Sequence, residues 1–135
     1  MRVIHFAAAC HLLVLSAGAA NAEPQIATPG DAERGRAVVV DRELGHCLLC
    51  HAIRQVDEPF QGNIGPDLSN IGARLSTAEL RDRIVDPTRS NPESVMPAYH
   101  RTANLNNVGV AYEGEPILNK QQVEDVVAFL ATLTQ

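Results

Sequence analysis

Cys47, Cys50 and His51 stand together in the pentapeptide Cys47-Leu48-Leu49-Cys50-His51. On a helical turn, positions i, i+3 and i+4 share one face. Two thiols and one imidazole therefore project to the same side. That arrangement suits two thioether bonds to heme vinyl groups and one nitrogen ligand to iron, and Cys-x-x-Cys-His is the attachment pattern of c-type heme. Two other chemistries use cysteines at this spacing. A thiol–disulfide pair belongs in a thioredoxin-like strand–helix–strand setting, and no strand-rich pattern flanks these residues. A zinc site could recruit His46 and His100, but the chain has no second Cys-x-x-Cys to complete a thiolate cage.

The third cysteine, Cys10, lies in a segment of another kind. A short basic start with Arg2 leads into an apolar run from Phe6 to Ala20, then Ala20-Asn21-Ala22. This small-x-small ending predicts a secretory signal peptide over Met1–Ala22, cleaved before Glu23. The apolar run is too short for a membrane span of ~20 residues. Too little hydrophobic sequence precedes Cys10 for a lipoprotein. The expectation is a domain over residues 23–135 in the periplasm, with no membrane attachment after cleavage. Export permits disulfides, but only Cys47 and Cys50 remain, three positions apart.

Cleavage also leaves Met96 as the sole methionine. A lone methionine is usually a core filler. Met96 sits instead in the polar, proline-pinned stretch Asn91-Pro92-Glu93-Ser94-Val95-Met96-Pro97, where core packing explains little. It is the expected sixth ligand of a heme iron whose fifth is His51. His100 is the rival; methionine raises the reduction potential where a second histidine lowers it. His46 is expected on the surface, turned away by the attachment turn.

These residues need a scaffold. The chain has 135 residues, a net charge of −5, 45% apolar residues, 4% aromatics and no tryptophan. That length suits one domain. The acidic balance excludes a nucleic-acid binder, which needs a basic face, and the apolar content is too high for disorder. Few aromatics make a thin core, and a buried heme would supply the missing apolar surface.

Three helices are legible. Asp31–Asp41 carries Gly35 and the Val38-Val39-Val40 run, although valines are poor helix formers. Ser76-Thr77-Ala78-Glu79 is a capping box, with Leu75 and Leu80 at the hydrophobic-staple positions; Asp86-Pro87 ends that helix. Asn119 and Gln122 cap the last one, which carries Val123, Val126, Val127, Leu130 and Leu133 on one face. Gly- and Pro-rich loops lie between them, notably Gly62–Pro66 and Asp86–Pro97, and no internal repeat is present. The expected fold is an all-α single domain wrapped around one covalent heme.

The chain resembles the class I cytochrome c family. The matching pieces are the Gly35 helix, Cys47-Leu48-Leu49-Cys50-His51, Gly65-Pro66-Asp67-Leu68, Met96-Pro97 and the terminal Val126-Val127-Ala128-Phe129-Leu130. The resemblance implies that the Pro66 carbonyl accepts a hydrogen bond from His51, fixing the imidazole, and that Gly35 packs against Phe129. A narrower resemblance is to the X subunits (SoxX) of the sulfur-oxidation (Sox) cytochrome complex. It is carried by Gly62-Asn63-Ile64-Gly65-Pro66-Asp67-Leu68-Ser69-Asn70-Ile71-Gly72, Asp86-Pro87, Met96-Pro97-Ala98-Tyr99 and Gly114-Glu115-Pro116-Ile117-Leu118 leading into Gln121–Val127.

That resemblance implies one heme c with His/Met ligation and a heterodimer with a second c-type cytochrome, the A subunit (SoxA). It also implies a complex that oxidatively conjugates thiosulfate to a cysteine of the Y–Z carrier protein (SoxYZ), an L-cysteine S-thiosulfotransferase. Joining thiosulfate to a thiol releases two electrons, while one heme holds one at a time. No cysteine would stay free to carry sulfur, so this chain is expected to be the electron-transfer subunit, passing electrons to a small cytochrome c, with no catalytic residue of its own. The alternatives are a free-standing electron-shuttle cytochrome c and a heme-based sensor with an open sixth position.

Arg74, Arg81, Arg83 and Arg89 form a local basic group, suited either to heme propionates and acidic partners or to a solvated helix face. Asn104–Tyr112 is read as a docking segment or a cover for a heme edge, and Tyr99 and Tyr112 as packing residues.

Overall fold

A computed structural model describes Thr28–Gln135, so the expected signal peptide lies outside the described residues. Five α-helices follow in order: α1 (Ala32–Val40), α2 (Cys47–Cys50), α3 (Ile71–Arg74), α4 (Thr77–Val85) and α5 (Lys120–Thr132). Two 3-10 turns, Pro87–Arg89 and Val110–Tyr112, punctuate the loops, and no strand occurs among the described residues. No described helix is long and apolar enough to cross a membrane.

α5 is the spine against which α1, α3 and α4 pack, while α2 packs on α1. Its capping box forms as the sequence predicts: the Asn119 side chain accepts from Gln122 N, and Gln122 reaches back to the Asn119 amide. Val123, Val126, Val127, Phe129 and Leu130 are buried along it. α1 lies across it at close range, because a Cβ on Gly35 would overlap the Asp125 carbonyl and come within 2.9 Å of Phe129 Cβ. The expected Gly35–Phe129 contact is therefore present. Val38 and Val39 are buried in this interface, so packing overrides their weak helix propensity.

Charge fastens the same interface. Arg34 donates from Nε and Nη2 to the two carboxylate oxygens of Asp125, both at 2.8 Å. The Asp31 amide and Gln121 Nε2 also donate to Asp125, at 2.8 and 2.9 Å. The guanidinium of Arg34 bonded to it holds the Asp125 carboxyl down at about 2. On another side of α5, Arg81 of α4 donates to both oxygens of Glu124, at 2.6 and 2.7 Å. α4 starts at the anticipated capping box of Ser76 and Glu79 and ends before Asp86. α3 escaped the sequence reading. It is one turn long and docks by Gly72, whose amide donates to the Leu133 carbonyl at 2.8 Å.

Candidate functional site

α2 is the attachment turn, a single helical turn entered through His46 in the left-handed conformation (φ 56°). The chain then returns alongside it: Gly62 N donates to Leu48 O, Gly65 N to Cys50 O and Leu68 N to Ala52 O, at 2.8, 2.8 and 2.9 Å. These backbone bonds bring Pro66 to His51, whose Nδ1 donates to the Pro66 carbonyl at 2.8 Å. With Nδ1 carrying the proton, Nε2 keeps its lone pair for a metal. Gly65 makes this approach possible, since any Cβ there would collide with the His51 ring.

Cys47, Cys50 and His51 line a cleft of about 380 Å³, within the ~300–1,000 Å³ range of cofactor sites. α4 contributes Leu80 and Ile84 to it, and α5 contributes Val126 and Leu130. Met96 and Pro97 enter from the loop after Pro87. Two thiols, an imidazole with a free nitrogen and a thioether thus share one apolar slot, and this donor set fits a covalently attached heme.

The chemistry of Cys47 agrees. Burial pushes its thiol up to about 11, which disfavours the thiolate that disulfide exchange requires. A thioether sulfur carries no charge, so the same burial costs it little. Tyr99, buried beside the cleft, also has its phenol raised, chiefly by burial.

The rival ligand is turned elsewhere. His100 Nδ1 donates to the Leu118 carbonyl at 2.7 Å, and His100 is not a wall of the cleft. His46 is exposed as expected, yet it is not turned away; its positive φ swings it onto the cleft wall. The arginine group divides. Arg81 is bound to Glu124, Arg74 donates to the Asp67 carbonyl at 2.8 Å, and Arg89 lies 3.8 Å from Asp86. Arg83 alone of the four lines the cleft.

Tyr99 is a packing residue as anticipated, but Tyr112 is 70% exposed and packs on nothing comparable. No residue of Asn104–Tyr112 lines the cleft. Sequence reasoning took Asp86 only as a helix stop; the structure buries it to 5% exposure and pairs it with Arg101. An acid before proline, with an arginine downstream of the methionine, was the available signal.

Comparison with known proteins agrees with this geometry. The cytochrome c family model matches residues 32–134, and the chain belongs to that family. Within it the chain is SoxX-like: it is 35% identical to a chain in the crystal structure of SoxXA from P. pantotrophus, with a TM-score of 0.74 over 80% of this chain and 85% of that one. A more distant likeness, 20% identical with a TM-score of 0.49, is to the c-type cytochrome SorU from Sinorhizobium meliloti, over 76% of this chain and 90% of that one. No curated protein matches. Family and site together assign the cleft a covalently bound heme c.

Proposed function

We propose that this chain is the monoheme subunit of a SoxAX-type complex in the periplasm, reached after removal of Met1–Ala22. Cys47 and Cys50 would hold the heme as thioethers, His51 and Met96 would ligate its iron, and Pro66 orients His51. The heme supplies one-electron redox chemistry when bound. The chain's own residues keep the imidazole in one tautomer, exclude water with Leu80, Ile84, Val126 and Leu130, and present a sulfur ligand that favours a raised potential. Ile64 and Val95, both exposed, border the cleft and leave an apolar edge where a second redox centre can approach.

In this reading a SoxA-type cytochrome is the partner, and thiosulfate is oxidatively conjugated to a cysteine of a SoxYZ-type carrier. The chain accepts the released electrons singly and passes them to a small cytochrome c. The single observation that carries the reading is the 35% identity to a SoxXA chain over 80% of this one. Native purification from thiosulfate-grown cells tests it. Co-elution with a second c-type cytochrome, and heme reduction that depends on both thiosulfate and the carrier, are the expected results. A lone monoheme protein inert to thiosulfate with the carrier present leaves only the free electron shuttle.

A further inference from the structure

Met96 is carried by a loop with little hold on the protein body. From Ser90 to Ala98 no side chain is buried. The bonds inside the loop are local turns: Ser94 N donates to Asn91 O at 3.0 Å and Met96 N to Ser94 Oγ at 3.2 Å. Its attachment lies at its two ends. There Tyr99 N donates to Ile84 O at 3.0 Å and His100 N to Val85 O at 3.3 Å. Side chains close the same gap: Arg101 Nη1 donates to Asp86 Oδ2 at 3.2 Å and to Thr88 Oγ1 at 3.1 Å, while the Thr88 hydroxyl donates to Asp86 Oδ1 at 2.6 Å.

The clamp is built from groups that resist being parted. The Asp86 side chain is 7% exposed, and Arg101 Nε is buried with no partner of its own. Removing Arg101 leaves the buried Asp86 carboxylate with Thr88 and only the more distant Arg89, at 3.8 Å, which costs more than a surface pair is worth.

We propose that Asp86, Thr88 and Arg101 form a positioning clamp that closes the Met96 loop at its base and keeps Met96 at the sixth position of the heme iron. The clamp rests on the Met96 ligand reading above. It works through Met96 and touches no reacting atom. Opening it raises the fraction of molecules in which Met96 has left the iron, and an external ligand then binds tighter in proportion to that fraction.

The test uses the heme-loaded ferric protein titrated with imidazole as the external ligand. Arg101→Gln and Asp86→Asn are expected to raise imidazole affinity on the order of tenfold, to broaden or lose the upfield NMR resonance of an iron-bound methionine methyl, and to speed amide exchange at Tyr99 and His100. Arg101→Lys should recover most of the effect. Asp125→Asn, a destabilising change at the α1–α5 interface, should lower the unfolding midpoint and leave imidazole affinity unchanged. Wild-type affinity in both clamp variants overturns the clamp, as does an equal rise in Asp125→Asn. If the charge variants do not load heme, Thr88→Val must still raise the affinity several-fold, and no change there overturns it. Met96→Ala separates the two readings. If it leaves spectrum and affinity at wild type, the ligand assignment falls and the clamp with it; if it changes both while the clamp variants do not, only the clamp falls.

Discussion

At the scale of single residues, the site turns on the contact between His51 and the segment Gly65-Pro66. Pro66 supplies a carbonyl 2.8 Å from Nδ1, and Gly65 supplies the absence of a side chain where the imidazole passes. Gly65→Ala is expected to cost about 1–3 kcal/mol as an overpacked contact and to disturb the histidine–iron bond. Thermal unfolding together with the visible spectrum of the loaded protein checks both effects. Met96→Ala should abolish the low-spin spectrum of a six-coordinate heme and lower the reduction potential; an unchanged spectrum points to another sixth ligand. The spacing of the Cys-x-x-Cys-His turn made Cys47, Cys50 and His51 legible beforehand, whereas the Pro66 contact followed from the family resemblance and the clearance at Gly65 only from the structure. The rival His100 has its ring bonded to the Leu118 carbonyl and is not a wall of the cleft, whereas Met96 is.

At the scale of elements, helix boundaries followed local chemistry closely. Ser76, Asn119 and Asp31 cap α4, α5 and α1 as their side chains dictate. Ser76→Ala should lower stability by about 1 kcal/mol, measured by denaturant unfolding, with no change in the heme spectrum. The Gly35–Phe129 contact between α1 and α5 was expected, but the ion pairs that join the helices were invisible in the sequence, since no spacing rule pairs Arg34 with Asp125 or Arg81 with Glu124. The first pair has a pH consequence. Asp125 is lowered from 3.8 to about 2 in the folded chain. Its stabilising effect is therefore complete above the ordinary carboxylate value and is lost as pH falls from about 4 towards 2. Asp125→Asn should remove about 1–2 kcal/mol at neutral pH, discounted for the half-exposed Arg34. The variant's stability should also fall less steeply in that acid window, as unfolding at pH 6 and pH 3 would reveal.

At the scale of the whole molecule, the core is incomplete without its cofactor. Leu80, Ile84, Val126 and Leu130 belong to the buried cluster and also form walls of the cleft. They face a slot of about 380 Å³ that protein alone does not fill. Replacing both attachment cysteines, Cys47→Ser with Cys50→Ser, should leave a chain without a cooperative thermal transition, because its folding free energy is coupled to holding the group. Calorimetry of that variant beside the loaded protein checks this.

The division between sequence and tertiary structure follows the range of the forces involved. Attachment motif, caps, helix stops and the apolar face of α5 are written within a few residues of one another, where backbone geometry leaves few choices. They sufficed for the fold class and for heme c attachment. Tertiary structure alone decided which arginines were committed to carboxylates and which one reached the cleft. It alone turned His46 onto the cleft wall, left the Asn104–Tyr112 segment out of the cleft lining, and joined Asp86 to Arg101 beneath the Met96 loop. Those outcomes depend on contacts between distant residues, whose partners become defined only when α1, α3 and α4 settle on α5.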